Sequence, residues 1–311
     1  MAPGGRATLS RMWSQESASR SQLFRRLAVA LIACGTLAVW SSAQNSAQTR
    51  FRLQARATLE KRLKSFASDN QVREATIRGW FAQSGCAKAN LSEQPVRFGL
   101  PPNVICVLPG ETQEVIVVGA HTDKVMRAGD GVVDNWSGAS LLPSLLFSLS
   151  AVKRHHTFVF VGFTAEETGM VGSEYYVEHR TPEARSRIEA MVNMDSLGLS
   201  PTKVWATHAD QPLLDALASV AMASKLPVSA VNVDKIGTTD SDSFARYQIP
   251  RITLHSVTQE TLHVLHSTDD KLTAINMDDY YDSYKLIAEY LAYLDDTLEL
   301  PAAPKPEKAA Q

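Results

Sequence analysis

The chain has 311 residues, enough for one large α/β domain or two small ones. Its hydrophobic fraction of 44% and charged fraction of 21% are ordinary for a globular protein that buries a sizeable core. The formal net charge is −2, with both signs interspersed and neither a basic stripe nor an aromatic-basic platform, so nucleic acid is not an indicated partner.

Residues 1–48 read as a secretory signal peptide or signal anchor rather than as part of the fold. Arg25 and Arg26 precede the uncharged run Leu27 to Trp40, which gives way to Ser41-Ser42-Ala43-Gln44. That is the order of a basic n-region, an apolar h-region and small residues. The run is short beside the roughly 20 apolar residues of a membrane span. Leu31-Ile32-Ala33-Cys34 also has the form of a bacterial lipobox, although apolar residues continue past the cysteine. Each reading leaves the rest of the chain outside the cytoplasm, secreted or periplasmic, with membrane attachment only through this segment. Without Cys34 the remaining cysteines are Cys86 and Cys106, an even pair in an oxidising compartment. A disulfide between them is expected; the alternative is two separate small buried side chains.

Residues 55–85 are expected to be helical, closing at Trp80-Phe81 before Ser84-Gly85. Asn103 to Leu108 and Glu114 to Gly119 are apolar and β-branched on either side of Pro109-Gly110, which predicts a strand pair joined by a turn. An apolar helix follows from Ser137 to Val152, entered through Asn135 and Trp136. Thr157 to Phe163 and Ala190 to Met194 are buried-strand runs, and further strands are expected at Lys203 to Thr207 and Arg251 to Ser256. Helices are expected at Pro212 to Ser224 and Met277 to Leu294. Strands alternating with helices predict an α/β fold over residues 50–299, a three-layer α/β/α single catalytic domain around a mostly parallel mixed sheet. Residues 300–311 are Pro-, Ala- and Lys-rich and read as a disordered tail.

Acids and histidines fall just past the apolar ends of these strands, where an open α/β sheet forms its ligand crevice. His121 and Asp123 follow Gly119-Ala120, Glu166 and Glu167 follow TFVFVGF, and Asp195 follows Met191-Val192-Asn193-Met194. Histidine nitrogen and carboxylate oxygen together suit Zn²⁺, and two zinc ions sharing one carboxylate suit hydrolysis.

The stretches VVGAHTDKV, GVVDNWSGAS, FTAEETGMVGSEYY, VNMDSLG, TDSDSFARYQIP and LHSTDD resemble, in order from about residue 103 to 293, the M28 family of zinc aminopeptidases. The resemblance implies two zinc ions per chain, one held by His121 and Asp195 and the other by Glu167 and His266, with Asp134 bridging them and a cis peptide following it. It implies Glu166 as general base and Asp123 as the acceptor that fixes the His121 ring. Ser241 and Asp242 match a family SD element near the site. Between His263 and His266, only the latter is followed by Ser-Thr-Asp as the family pattern requires. Two positions depart from the family's habit, Val133 before the bridging acid and Leu265 before the last histidine; neither is a ligand.

Taken singly, each of these residues has an ordinary explanation: a loop histidine, acids at a helix start, a strand-end cap. His155, His156 and His179 read as solvated, and His255 as a candidate for substrate contact. Trp136 and Met170 stand beside the motifs and either line a specificity pocket or pack in the core. The implied activity is removal of N-terminal residues from peptide substrates. A glutaminyl cyclase-like or carboxypeptidase-like zinc enzyme of the same fold, or an inactive binding module, are the alternatives.

Overall fold

Side chains of the central strands alternate between two apolar cores, one on each face of a single sheet. In the strand Val115–His121, Ile116, Val118 and Ala120 enter one core and Val117 the other; in Thr157–Phe163, Phe158 and Phe160 oppose Val159, Val161 and Phe163. This period of two, apolar on both sides, marks strands covered by helices on both faces.

The computed structural model describes residues 50–126, 128–234 and 237–298, so the expected signal segment and tail lie outside the described residues. The elements in chain order are α1 (Arg56–Leu63), α2 (Asn70–Gln83), β1 (Leu91–Gln94), β2 (Asn103–Leu108), β3 (Val115–His121), α3 (Ser137–Leu149), β4 (Thr157–Phe163), α4 (Val171–Glu178), α5 (Pro182–Ser186), β5 (Ile188–Met194), β6 (Lys203–Val204), α6 (Gln211–Ser224), β7 (Ser229–Ala230), α7 (Ser241–Ala245), β8 (Arg251–His255) and α8 (Met277–Thr297). The sheet order is β1-β2-β4-β3-β5-β8-β6-β7. The centre, β4-β3-β5-β8, is parallel, while β1 and β2 on one flank and β6 on the other join antiparallel. Helices α1, α2, α3, α6 and α8 contribute to the larger core, and α4 and α7 to the smaller. The expected three-layer α/β/α arrangement is present. Among the described residues no helix is long and apolar enough to cross a membrane.

The expected pairing of β2 with β3 does not occur: β4 lies between them, antiparallel to β2 and parallel to β3. The turn after Pro109 does not fold back because the chain entering β4 takes up its polar groups. Glu111 N–H donates to Arg154 C=O, Thr112 N–H to His155 C=O, and Thr157 N–H to Glu114 C=O. The expected helix over 55–85 is two helices, with Asp69 breaking the run by capping α2, its carboxylate accepting the amides of Gln71 and Val72. The strand expected over Lys203 to Thr207 stops at Val204 and continues as a 3₁₀ turn over Ala206–His208. His155 and His179 are exposed as expected, but His156 is fully buried. Its amide donates to Asp295 at 2.8 Å, and that acid, near the end of α8, organises the entry to β4.

Helix α3 is apolar around nearly its whole circumference, and three of its four serines find partners on other helices. Ser144 Oγ accepts from Arg62, Ser140 Oγ lies 2.9 Å from Tyr280 Oη, and Ser148 Oγ lies 2.6 Å from Tyr284 Oη. Cys86, just after α2, is disulfide-bonded to Cys106 in β2 across 20 residues. Closing a loop of that size stabilises a fold by about 3 kcal/mol in the chain-entropy account.

Candidate metal centre

Parallel strands β4, β3 and β5 are neighbours, so the residues at their C-terminal ends converge. His121 ends β3, Glu166 and Glu167 open the 3₁₀ turn after β4, and Asp195 follows β5. Asp134 arrives from the segment leading into α3, and His266, with a left-handed φ of 54°, from the loop after β8. His121 Nε2 lies 3.2 Å from Asp134 Oδ1 and 3.6 Å from Asp195 Oδ1. His266 Nε2 lies 3.1 Å from Asp134 Oδ2 and 3.0 Å from Glu167 Oε2. Two three-residue groups of nitrogen and oxygen donors therefore exist, His121-Asp134-Asp195 and Asp134-Glu167-His266, sharing Asp134 through opposite oxygens. His263 does not join them: it is exposed and its Nδ1 faces the Glu260 carbonyl at 2.9 Å.

The surroundings hold these donors in place. The Asp134–Asn135 peptide is cis. Asn135 donates through Nδ2 to Met194 C=O at 2.8 Å and accepts at Oδ1 from Gly138 and Ser196 amides, joining the start of α3 to the Asp195 turn. Asp195 Oδ2 accepts from Thr239 Oγ1 at 2.8 Å, and Thr239 in turn accepts from Asn193 Nδ2 at 2.7 Å. Asp123 lies 3.6 Å from His121 Nδ1, beyond hydrogen-bond reach, and its oxygens instead accept the amides of Glu166 at 3.1 Å and Glu167 at 3.3 Å. It orients the Glu166-Glu167 turn, and not, as the resemblance implied, the His121 ring.

The electrostatics are those of an acid-rich pocket. Burial would raise the Asp134 carboxyl, yet hydrogen bonds from His121 and His266 outweigh it and hold it below the usual carboxylate range. Burial, reinforced by Asp240, Asp195 and Asp134 and opposed by His121, pushes Glu166 up to about 10. Contacts with Asp134 and Glu167 push His266 up to about 11. His121 Nδ1 and Glu167 Oε1 are buried without a hydrogen-bond partner. Carboxylates crowded against two imidazoles, with Glu167 Oε1 left over, form a set that divalent cations would satisfy.

The family model described as peptidase family M28 matches residues 103–291, which is more than half of the chain. The chain belongs to peptidase family M28. An aminopeptidase of Pseudomonas aeruginosa is 36% identical over 89 residues, 29% of this chain and 16% of that protein. This chain is thus matched to less than a fifth of that relative's length. Among solved structures, a zinc aminopeptidase from Bacillus subtilis superposes with a TM-score of 0.56 at 22% identity, covering 61% of this chain and 49% of the other. An Acidobacteriales bacterium glutaminyl cyclase superposes at 0.60 and 19% identity, covering 72% and 85%. At those identities the likeness is one of fold.

Within this M28 domain, sequence reasoning overlooked two acids. The SD element places Ser241 against Thr253 and turns Asp242 towards His208 and Arg251, at 3.0 and 2.6 Å. The neighbouring Asp240 is the buried one, both oxygens unpartnered, raised by that burial to about 7. Asp270, in the same LHSTDD stretch as His266, accepts the amides of Val133 at 2.7 Å and Asp134 at 3.2 Å and so fixes the backbone of the shared acid. Both acids stand in closely spaced pairs, Asp240 with Asp242 and Asp269 with Asp270, and only the fold shows which member faces the site.

A cavity of about 90 Å³ opens from the donor cluster, bounded by Asp134, Glu166, Asp195 and His266 on one side and by Trp205, Val257, Leu265 and His255 on another. Trp136 and Met170 do not line it; Trp136 is fully buried, donating from Nε1 to Arg62 C=O and packing on Trp80 at 5.4 Å between ring centres. His255 has no nitrogen free for substrate. Its Nδ1 accepts the Val257 amide at 3.1 Å, which leaves Nε2–H to donate to Val231 C=O at 3.0 Å, and the ring is neutral.

Burial lowers the His255 imidazole from its ordinary 6.5 to about 4. The fold holds the neutral form, so this contribution is fully present above pH 6.5 and is lost as pH falls from 6.5 towards 4. At 1.36 kcal/mol per unit the loss reaches about 3 kcal/mol. Thermal melts of the metal-free chain should show a smaller acid-side decline in His255→Gln than in wild type, and identical slopes would contradict the assignment.

Proposed function

We propose that this protein is an exported di-zinc aminopeptidase that removes neutral N-terminal residues from peptides. The observation that carries the reading is the pair of donor triads sharing Asp134, with Glu166 lining the same cavity. His121, Asp134 and Asp195 would hold one zinc, and Asp134, Glu167 and His266 the other. Zinc bound there would supply Lewis acidity towards a scissile carbonyl and make water nucleophilic at neutral pH. The chain's own part in the chemistry is proton handling and orientation. Glu166 takes the proton of the attacking water on a carboxylate oxygen and returns it to the leaving amine; the charge of zinc bound beside it would hold the carboxyl ionised for that role, against the burial that raises it in the metal-free chain. Asp123 keeps that carboxyl in place by binding the Glu166 amide.

The cavity wall beyond the donors supports a neutral side chain in the first substrate position, since Trp205, Val257 and Leu265 are apolar and His255 is uncharged. Export is supported by the Cys86–Cys106 disulfide, of a kind that persists in oxidising compartments. The test is a panel of reporter amides with free and with acetylated amino groups. Free-amine aliphatic substrates should be cleaved, with Asp and Lys substrates poor. Cleavage confined to acetylated substrates would overturn the aminopeptidase reading.

A further inference from the structure

Arg73 lies in the first turn of α2, ahead of residue 103 where the family match begins. It is 0% exposed, and its hydrogen-bond partners are backbone carbonyls rather than carboxylates. Nε donates to Thr122 C=O at 2.5 Å, Nη2 to Gly131 C=O at 2.9 Å, and Nη1 to Ala67 and Asp130 C=O at 3.3 and 3.4 Å. The guanidinium carbon sits 5.0 Å over the Trp136 ring.

A buried cation without a contacting anion is costly to hold, so its placement calls for a reason. Thr122 separates His121 from Asp123, and Asp130-Gly131 leads into Asp134. The planar fork thus spans the two segments that carry donors from β3 and from the start of α3, a geometry that arginine supplies and lysine does not. Asn70, three residues earlier, joins the same clamp: it accepts the Lys124 amide at 3.2 Å and donates to the Lys124 carbonyl at 3.5 Å. Gly131, at φ +63°, lets the segments close, because a Cβ there would stand 2.5 Å from Lys124 Cβ. Burial lowers Arg73 to about 10, with Asp123, Asp270, Asp134 and Glu167 opposing the fall, so the charge persists at neutral pH and faces the acid cluster from behind.

We propose that Arg73 is a positioning residue for the metal pair, locking the His121–Asp123 segment to the Asp130–Asp134 segment so that both donor triads form around Asp134 in one geometry. The inference rests on the metal reading above and adds to it a residue outside the matched family region. It is tested by zinc affinity, measured by competition with a chelator, on the full chain. Arg73→Gln should bind zinc about 10–100-fold more weakly, the usual effect of losing a group that orients ligands. Arg73→Lys, which keeps the charge but not the fork, should recover only part of that loss. Ile77→Ala, in the core face of the same helix, should lower the melting temperature and leave zinc affinity unchanged.

Wild-type affinity in both Arg73 variants would overturn the proposal, as would an equal loss in Ile77→Ala. A wild-type chain that bound no zinc would overturn the metal reading itself, which separates the two failures. Should Arg73→Gln not fold, Arg73→Lys and the wild-type protein decide. The Arg73 Nε–H signal should exchange slowly with solvent both before and after zinc is added, and fast exchange in the metal-free chain would overturn the proposal.

Discussion

Glu166→Gln is expected to retain its zinc and to lose about 10²–10⁴-fold in kcat, equivalent to about 2.7–5.4 kcal/mol of transition-state stabilisation. The substitution keeps the side chain's shape but leaves nothing that can accept a proton. Glu166 belongs to neither donor triad, so metal content should stay at the wild-type level. The Asp123 contact is made to the Glu166 backbone amide and survives the change, so the turn that presents Glu167 should keep its form. KM should move little, because the residue handles a proton in the reaction rather than holding the ground-state substrate. Steady-state kinetics on a free-amine reporter, with metal analysis of the same sample, checks both halves. An unchanged kcat would remove Glu166 from its role, and a parallel loss of zinc would mean the variant reports on binding instead.

Asp134→Asn is expected to weaken both metal sites at once. Each Asp134 oxygen faces a different imidazole, at 3.2 Å for His121 and 3.1 Å for His266, so neither triad is complete without a charged carboxylate there. The loss of affinity should exceed the 10–100-fold typical of an outer contact. Asp195→Asn is the informative comparison, because Asp195 belongs to one triad only and its substitution should leave one strong site. Chelator-competition titrations that found one site weakened in both variants would contradict the sharing of Asp134.

How much of this was legible in the sequence depends on whether a residue acts through position along the chain or through burial. His121, Glu167 and Asp195 could be read because strand ends and their apolar runs are local patterns, and the sheet brings those ends together by topology. Asp134 and His266 rest in loops and were reached through resemblance alone. The mispairing of β2 with β3 shows the limit of local reading. Pro109-Gly110 signals a turn, but which strand lies alongside is decided by β4, whose apolar run fits between them and whose entry segment captures the turn's amides. Asp240 and Asp242 stand two apart in one polar stretch, and nothing in the sequence marks the first as the buried acid. Arg73 is the extreme case: a single arginine in an ordinary amphipathic helix, given meaning only by the carbonyls of two distant loops.

The central claim is that this M28 chain carries two zinc sites built on one shared aspartate. Titration of the metal-free protein with zinc, followed by hydrolysis of a free-amine reporter at each point, tests it most directly. The expected result is saturation at two equivalents per chain, with activity lost again when zinc is removed by chelation. Saturation at a single equivalent with full activity, or activity that persists without metal, would contradict it.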